Sequence, residues 1–373
     1  MGSNRLERAV GYIGPLVIEI VGRGELYYRL IDEVEPGNAN KEVDLRVVID
    51  NEKFKEKRRS FKPTHSSAKQ HMTFNSSMFY YDEPLPYLCE NLFIKNACCT
   101  LYVNDSLATN TMTRLRKLLS TSVNMRPEIS YALFWYIVQV RLLHYECSFI
   151  HASIFNNHND EALAFIGTGG SGKTSTMLKY FSKGRGSYMS EDFGIVCSDG
   201  NTLLSSKSLT IYQSDISSNI PMKKSFYKSL SVLSRLKWEW IRIFRGGNPK
   251  IRVPINEYFD RQMMGKKERI NRAYYIIRSS TKNPSVEAVN LSEFIERVLC
   301  VTLREMKKLS ELVNLISANK PVDYNYPSVH NISQSIKSVY LQAFSDCETC
   351  IIEVPFSFTS NEMVEFLETQ KIV

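Results

Sequence analysis

The chain has 373 residues, of which 43% are hydrophobic and 23% charged, and its formal net charge is +8. These values are ordinary for a soluble globular protein with one large domain or two medium ones. The longest apolar candidate, 129–140, is shorter than the roughly 18 residues a membrane-spanning helix needs, and the N-terminus lacks an apolar signal core. We therefore predict a cytoplasmic protein without a membrane partner. The positive charge favours an acidic partner without requiring nucleic acid.

The eight cysteines are consistent with a reducing compartment. Six of them are scattered and mostly flanked by apolar residues, which predicts buried free thiols at Cys89, Cys98, Cys99, Cys147, Cys197 and Cys300. Cys347 and Cys350 form a close pair, but a zinc site would need two more ligands at matching spacing. We therefore predict free thiols there too, rather than a metal site.

The first 125 residues are predicted to be rich in strands. Short apolar or alternating runs at 16–21, 42–49 and 97–103 are typical of strands, and residues 36–38 supply a turn. No acid–base constellation stands out in this region. We therefore assign 1–125 to scaffolding or to substrate docking.

Residues 126–373 are predicted to form the second domain. Pro127 suits the first turn of a helix, and the run 129–143 is apolar almost all round, which predicts a helix buried between layers. Residues 149–155 and 162–166 are predicted to be strands joined by a tight polar turn. The second of these strands leads directly into glycines.

The segment 167–174 matches the pattern G-x-x-x-x-G-K-[ST] at every fixed position. In this pattern the glycines let successive N–H groups surround an anion, and the following helix directs its positive end at the same phosphates. Lys173 is expected to reach the β- and γ-phosphates, and the Thr174 hydroxyl to coordinate Mg²⁺. We therefore predict a P-loop that binds ATP, or another nucleoside triphosphate, with Mg²⁺. The predicted nucleotide-binding residues are Gly167, Gly169, Gly170, Ser171, Gly172, Lys173, Thr174 and Ser175.

Two adjacent acids follow the predicted P-loop helix. Glu191 and Asp192 lie between short apolar stretches within 186–196. Side chains of adjacent strand residues point to opposite faces, so one acid could hold Mg²⁺ while the other meets a substrate hydroxyl. A bend at this point would relax that alternation.

The order of these motifs resembles the HPr kinase/phosphorylase superfamily, whose fold is shared with ATP-dependent phosphoenolpyruvate (PEP) carboxykinases. Three features match in order: the His-small-Ser run 151–153, a hairpin that feeds the P-loop, and the run 190–192, a small residue and two acids. The resemblance is nearest to the serine-kinase-like branch, which includes kinases of lasso-peptide precursors. It covers 130–200 well and 250–310 more loosely.

The resemblance implies an α/β fold with a P-loop kinase core of HPr kinase/PEP carboxykinase type. It implies that Lys173 and Thr174 handle phosphate and metal, that Asp192 is the main catalytic or Mg²⁺-binding acid, and that His151 lines the site near the transferred phosphate. The family usually has two aspartates where this chain has Glu191 and Asp192, so a catalytic role for Glu191 follows less directly. Family members are often oligomers, which makes a homo-oligomer an expectation.

Residues 222–252 form a basic segment whose single acid is Glu239. Apolar residues recur in it at helical spacing, which predicts an amphipathic helix ending at 246–247. This helix either docks on the domain with a basic outer face or acts as a lid or docking helix for an acidic acceptor. Arg252 and Lys250 are our candidates for stabilising charge on the transferred phosphate.

The C-terminal part is predicted to mix helices and strands. We expect a helix at 297–317, strands at 338–344 and 351–354, and a closing helix at 362–369. Thr359 or Ser360 is the expected cap of the last helix.

Together the motifs predict an ATP-dependent phosphotransferase that moves the γ-phosphoryl group to a hydroxyl, first of all a serine of a peptide or protein. Three alternatives remain open. A small-molecule kinase acting on free serine or a sugar-like hydroxyl would need no macromolecular acceptor. A nucleic-acid-dependent NTPase would show salt-sensitive stimulation, although no helicase motif set accompanies the P-loop. A non-catalytic regulator would bind ATP without turnover.

Overall fold

The computed structural model is a mixed α/β protein. It describes residues 6–38, 41–67, 72–81, 86–104, 128–157, 159, 161–184, 186–213, 230, 232–244, 249–259, 263–320, 324 and 326–373. Within these residues the helices are α1 Glu25–Ile31, α2 Asn51–Ser60, α3 Glu128–Leu143, α4 Lys173–Phe181, α5 Val232–Phe244, α6 Ile255–Tyr258, α7 Leu291–Glu305, α8 Lys307–Asn319, α9 Val329–Ala343 and α10 Ser360–Thr369. None of these helices is both long enough and apolar enough to cross a membrane.

The chain divides into two compact units that are not continuous in sequence. The described residues within 1–119, 125–146 and 306–336 belong to the first unit, and those within 147–305 and 337–373 belong to the second. The division therefore departs from the boundary we predicted between 125 and 126. One physical reason is the buried Arg141 of α3, whose guanidinium donates to the carbonyls of Ile94 at 2.7 Å and Ala97 at 2.9 Å in the first unit.

The first unit contains the predicted strand-rich region as a nine-stranded sheet. Its strands are β1 Glu7–Ile13, β2 Leu16–Gly22, β3 Glu35–Pro36, β4 Leu45–Ile49, β5 His65–Ser67, β6 Met72–Phe74, β7 Met78–Tyr81, β8 Tyr87–Glu90 and β9 Cys99–Val103. Their order is β3-β1-β2-β4-β9-β8-β7-β6-β5, with β2, β4 and β9 parallel to one another and the other pairs antiparallel.

The second unit contains another nine-stranded sheet and a two-stranded one. The strands of the larger sheet are β10 Cys147–Ile150, β11 Ala152–Asn156, β12 Ala162–Ile166, β13 Ser187–Ser190, β14 Gly194–Cys197, β15 Asn201–Leu203, β18 Lys267–Ser279, β19 Ser285–Ala288 and β20 Glu348–Pro355. The order is β10-β14-β15-β18-β12-β11-β13, and β20 pairs with both β18 and β19. The smaller sheet pairs β16 Leu209–Tyr212 with β17 Lys250–Val253.

An aromatic core packs α4 against the larger sheet. Phe155 of β11 stacks on Phe165 of β12 with ring centroids 5.4 Å apart, and Phe165 stacks on Tyr274 of β18 at 5.3 Å. Tyr180 and Phe181 of α4 contact Phe155 from the helix side. Buried aromatic pairs of this kind contribute about 0.5–1.5 kcal/mol beyond their area. They hold β12 and α4, the two elements on either side of the glycine-rich loop, in a fixed relation.

Several predicted elements are confirmed and others are wrong. The strand at 162–166, the strand at 351–354 and the closing helix are present, and Thr359 forms a capping box with Glu362. The strand predicted at 338–344 is instead the last part of α9, because its apolar residues continue a helical period that begins earlier, at Ile332. The helix predicted at 297–317 is two helices, since Met306 interrupts it.

The basic segment is only partly described, since residues 222–229, 231 and 245–248 lie outside the described residues. A basic outer face was one of the two alternatives for its helix, α5. The exposed side of α5 includes Arg242, and it also carries an apolar stripe that consists of Val232, Leu236, Trp240 and Ile243, each between 43% and 71% exposed. Trp238 and Ile241 are buried, so α5 packs through its opposite side.

Candidate phosphate-binding site

The glycine-rich loop 167–172 connects the end of β12 to the start of α4. Gly170 and Gly172 have φ angles of 83° and 99°, a region that side-chain-bearing residues seldom adopt. A Cβ on Gly172 would also lie 2.9 Å from the Arg278 guanidinium. Gly172 is the N-cap residue of α4, and no side chain accepts a capping hydrogen bond there. A helix N-terminus of this kind, behind a loop with positive φ angles, is suited to bind an anion.

The Lys173 side chain turns back against the loop and contacts the loop's own carbonyls. Its ammonium donates to the carbonyls of Gly167 at 2.8 Å and Thr168 at 3.2 Å, and the side chain is buried. Burial lowers the pKa of Lys173, and the charges of Asp192, Glu191 and Glu305 oppose that shift. The loop carbonyls and the neighbouring acids thus hold a buried positive charge next to the anion site.

Thr174 and Glu191 meet at the first turn of α4. The Thr174 hydroxyl donates to Oε1 of Glu191 at 2.7 Å. Glu191 is buried, and its other oxygen, Oε2, has no hydrogen-bond partner within the described chain. Burial raises the pKa of Glu191 to about 7, helped by the neighbouring Asp192 charge and opposed by Lys207. This carboxylate therefore has one oxygen available for a further ligand.

Asp192 faces a different set of partners from its neighbour. Its carboxylate pairs with the ammonium of Lys207, and its Oδ1 lies 3.3 Å from Nδ1 of His151. Burial acts to raise the pKa of Asp192, but Lys207 and His151 lower it more, so the pKa falls well below its ordinary value. Burial, Lys173 and Lys207 lower the pKa of His151 to about 4, although Asp192 acts in the opposite direction. At neutral pH the site therefore holds an ionised Asp192 beside a neutral imidazole.

Lys207 is a site residue that the sequence did not indicate. It lies between β15 and β16, its side chain is only 4% exposed, and its ammonium lies 4.0 Å from the ring centroid of Phe193. A lysine within a run of serines reads as an exposed loop residue, and no motif spacing ties it to the acids. Only long-range packing shows that Lys207 is buried against Asp192.

One strand prediction at the site is wrong, and the bend that we left open at the two acids is present. Residues 149–155 do not form one strand, because the chain bends at His151 between β10 and β11. Glu191 and Asp192 lie in a bend between β13 and β14, and Asp192 has a φ of 70°. Strand alternation therefore does not apply to the two acids, and the bend directs Glu191 to Thr174 and Asp192 to His151.

The cysteine prediction is wrong for one pair and for the burial of two further thiols. Cys147 and Cys197 form a disulfide between β10 and β14, at directly opposed positions of the antiparallel ladder. Cys300, expected to be buried, is exposed, and Cys98 is half-buried. Cys347 and Cys350 are free thiols in the structure. The disulfide removes the support that we drew from free thiols for a reducing compartment.

The remaining candidates are placed as follows. Ser171 is buried in the loop, and Ser175 lies in the first turn of α4. Arg252 lies opposite Thr210 in the two-stranded sheet, outside the sheet that carries the glycine-rich loop. We assigned no role to Arg278. Its Nε donates to the Ser171 carbonyl at 3.2 Å, and this hydrogen bond supports the main chain of the loop.

No group of three or more histidine, cysteine or acidic side chains that could hold a metal ion occurs among the described residues. Comparison of the chain with protein-family models and with curated protein sequences gives no match.

Proposed function

We propose that the chain is an ATP-dependent kinase with a P-loop core of HPr kinase/PEP carboxykinase type, which transfers the γ-phosphoryl group to a hydroxyl of a peptide or protein. The observation that carries the proposal is the contact between Thr174 and Glu191 directly behind loop 167–172. A hydroxyl and a carboxylate that meet beside a P-loop are the oxygen ligands that Mg²⁺ takes in phosphoryl-transfer sites.

The residues present fit such an ion. Glu191 carries a buried oxygen without a hydrogen-bond partner in the described chain, and Mg²⁺ commonly binds through one or two carboxylates together with substrate phosphates. Thr174 and Glu191 would hold it, whereas Asp192, our first choice of ligand, is engaged by Lys207. When bound, the metal would neutralise the negative charge on the transferring phosphate oxygens.

Asp192 is the residue that we assign to the acceptor hydroxyl. Lys207 keeps its carboxylate ionised, and a side chain that is 33% exposed is within reach of a substrate. The acceptor oxygen would bond to the γ-phosphorus while the bond from that phosphorus to the bridging oxygen breaks. The hydroxyl proton would pass to Asp192, and His151 would orient that carboxylate.

Lys173 would serve the phosphates. Its ammonium would exchange the carbonyls of Gly167 and Thr168 for phosphate oxygens when a nucleotide binds. The main chain of the first turn of α4 would complete the anion site.

The test is Mg²⁺-dependent ATP turnover by the wild type, Lys173→Ala and Asp192→Asn, each alone and with peptides, small metabolites or nucleic acid. We expect phosphate to appear on a peptide serine and to disappear in both variants. Lys179→Ala, which removes a lysine from the last turn of the same helix, is the matched control. Transfer to free serine or a sugar would support a small-molecule kinase. Binding without transfer, or hydrolysis stimulated only by nucleic acid, would contradict the proposal.

A further inference from the structure

Exposed apolar side chains are concentrated on α5. Ten large hydrophobic side chains are exposed among the described residues, and the four of the apolar stripe lie on this 13-residue helix. At 3.6 residues per turn the stripe spans about 80° of the helix circumference and is about 17 Å long, so its side chains form one continuous surface. Large apolar groups that cluster on a surface mark an interaction site.

The opposite side of α5 fixes the helix to the second unit. Trp238 and Ile241 are fully buried, in the same hydrophobic core as Leu178 and Phe181 of α4. Trp238 Nε1 also donates to Oε1 of Gln213 at 2.7 Å. This buried side anchors the helix, so packing within the described chain does not account for the apolar stripe. A partner bound to the stripe would be held on the same core as the helix that begins at the glycine-rich loop.

Cations border the apolar stripe on both sides. At 100° per residue, Lys237 lies about 60° from one border of the stripe, and Arg235 and Arg242 lie about 60–80° from the other. Glu239 lies on the same side as the two arginines and pairs with Arg242. The helix therefore carries three cations and one anion, and the wider segment 222–252 has nine cations against that one acid. An acidic partner is electrostatically complementary to this surface.

The charge and the width of the stripe favour one kind of partner. A second copy of α5 would bring a net positive charge against a net positive charge, which disfavours self-association. An apolar face of about 80° has the width of a seam between two helices, and broader faces of about 100° or more are those that cover a core. The stripe therefore fits the side of a single acidic helix better than a flat bilayer.

We propose that the apolar stripe of α5 docks an acidic amphipathic helix of the protein acceptor. The acceptor helix would place apolar side chains on the stripe and carboxylates against the bordering cations, the mode in which amphipathic helices bind apolar surfaces. The inference rests on the proposed function and deepens it, because it names the chemistry by which the acceptor is recognised. Docking away from the reacting serine would raise the effective concentration of that serine at the phosphate site.

Trp240 provides a direct readout of binding, without ATP. Trp135 and Trp238 are buried, whereas Trp240 is 43% exposed, so Trp240 is the tryptophan that a docked helix would cover. The probe is a synthetic helical peptide with leucines at i, i+3, i+4 and i+7 and glutamates beside them. Its binding should shift the Trp240 emission to shorter wavelength and protect it from acrylamide quenching. Trp240→Phe should remove this signal.

Variants of the protein and of the peptide test the two parts of the contact. Leu236→Ala should weaken binding of the acidic peptide about tenfold, because it removes apolar area from the middle of the stripe. Leu341→Ala, at an exposed leucine of α9, is the matched control and should bind as the wild type does. The same peptide with lysines in place of the glutamates should not bind, and added salt should weaken binding of the acidic peptide.

Three results would overturn the inference. The first is equal binding of the acidic and the basic peptide, or no effect of Leu236→Ala. The second is a Trp240 shift with phosphatidylserine vesicles and none with the acidic peptide, which would assign the stripe to a membrane surface. The third is a dimer in sedimentation experiments that Leu236→Ala dissociates, which would assign the stripe to a second copy of the chain.

Phosphoryl transfer separates this inference from the proposed function. A serine peptide joined to the acidic helix should have a lower KM than the serine peptide alone, and Leu236→Ala should raise that KM about tenfold. Binding of the acidic helix without transfer to any serine would support the docking surface and contradict the kinase. Transfer with a KM that neither the acidic helix nor Leu236→Ala changes would support the kinase and overturn the docking inference.

Discussion

The Thr174 hydroxyl donates a 2.7 Å hydrogen bond to Oε1 of Glu191, joining the first turn of α4 to the bend after β13. The sheet makes this contact, because β13 pairs with β11 and β11 pairs with β12, the strand that leads into the loop. The strand order β12-β11-β13 thus sets the distance between the loop and the acid bend. A change at either residue should act on one shared site.

We expect Thr174→Val to lower Mg²⁺-dependent turnover at least about 100-fold, because it removes the hydroxyl and leaves Glu191 without its partner. Glu191→Gln should have a similar effect, since it removes the charge that would bind the metal. Thr174→Ser keeps the hydroxyl and is the control. Steady-state kinetics with titrated Mg²⁺ would test this. Full activity in Thr174→Val would contradict the assignment.

Lys207→Met should destabilise the fold and inactivate the site together. Removing one partner of a fully buried pair costs about 3–5 kcal/mol, and the 33% exposure of the Asp192 side chain reduces the expected cost to about 2 kcal/mol. The double variant Lys207→Met/Asp192→Asn should recover much of that stability while remaining inactive. Urea unfolding of the single and double variants measures the coupling. Additive losses would show that the two residues do not form a pair.

The disulfide should stabilise the second unit. Cys147 and Cys197 are 50 positions apart, and closing a loop of this length contributes about 4 kcal/mol in the chain-entropy model. Reductant should therefore lower the urea midpoint of the wild type, and the double variant Cys147→Ser/Cys197→Ser should not respond. Cys300→Ser, at an exposed free thiol, is the control. An unchanged midpoint in reductant would contradict a stabilising disulfide.

Stability should fall in mild acid because of His151. The folded-state pKa of about 4 lies below the ordinary value of 6.5, so the unfolded chain binds the proton first. The stabilisation is complete above pH 6.5 and is lost as pH falls towards 4, with a total of about 3 kcal/mol. His151→Gln should flatten that part of the stability curve, measured by urea unfolding across pH. His144→Gln gives a comparison, since the pKa of His144 is also lowered to about 4 by burial. An identical pH slope in the wild type and His151→Gln would contradict this prediction.

Arg278→Lys should weaken phosphate binding without unfolding the chain. The guanidinium holds the Ser171 carbonyl of the loop and the carbonyls of Phe356 and Phe358 at once, and a lysine ammonium cannot reproduce that planar fork. We expect about tenfold weaker tripolyphosphate binding, which calorimetry would measure. Arg269→Lys, in an exposed ion pair with Asp346, is the matched control. Unchanged affinity would show that Arg278 supports only the turn after β20.

Local pattern was enough to predict the elements around the loop. The strand 162–166, the glycine-rich loop and the helix after it follow one another without a gap, so each was read from adjacent residues. The capping box at Thr359 was likewise predictable, because its hydrogen bonds join residues three apart. The strand predicted at 338–344 failed because a short apolar run does not by itself distinguish a strand from the end of a helix.

The sequence by itself therefore determined that a P-loop pattern follows a buried strand and that two acids come soon after it. Only the tertiary structure decided that Glu191 contacts Thr174 and that Asp192 contacts His151. It also decided that Lys207 lies buried against Asp192. These contacts join residues that are 15 or more positions apart. They depend on the chain bends at His151 and at 191–192, and on the pairing order of the strands that flank these bends. Spacing along the chain does not carry that information, because the direction of a side chain at a bend is set by the strands that pack around it.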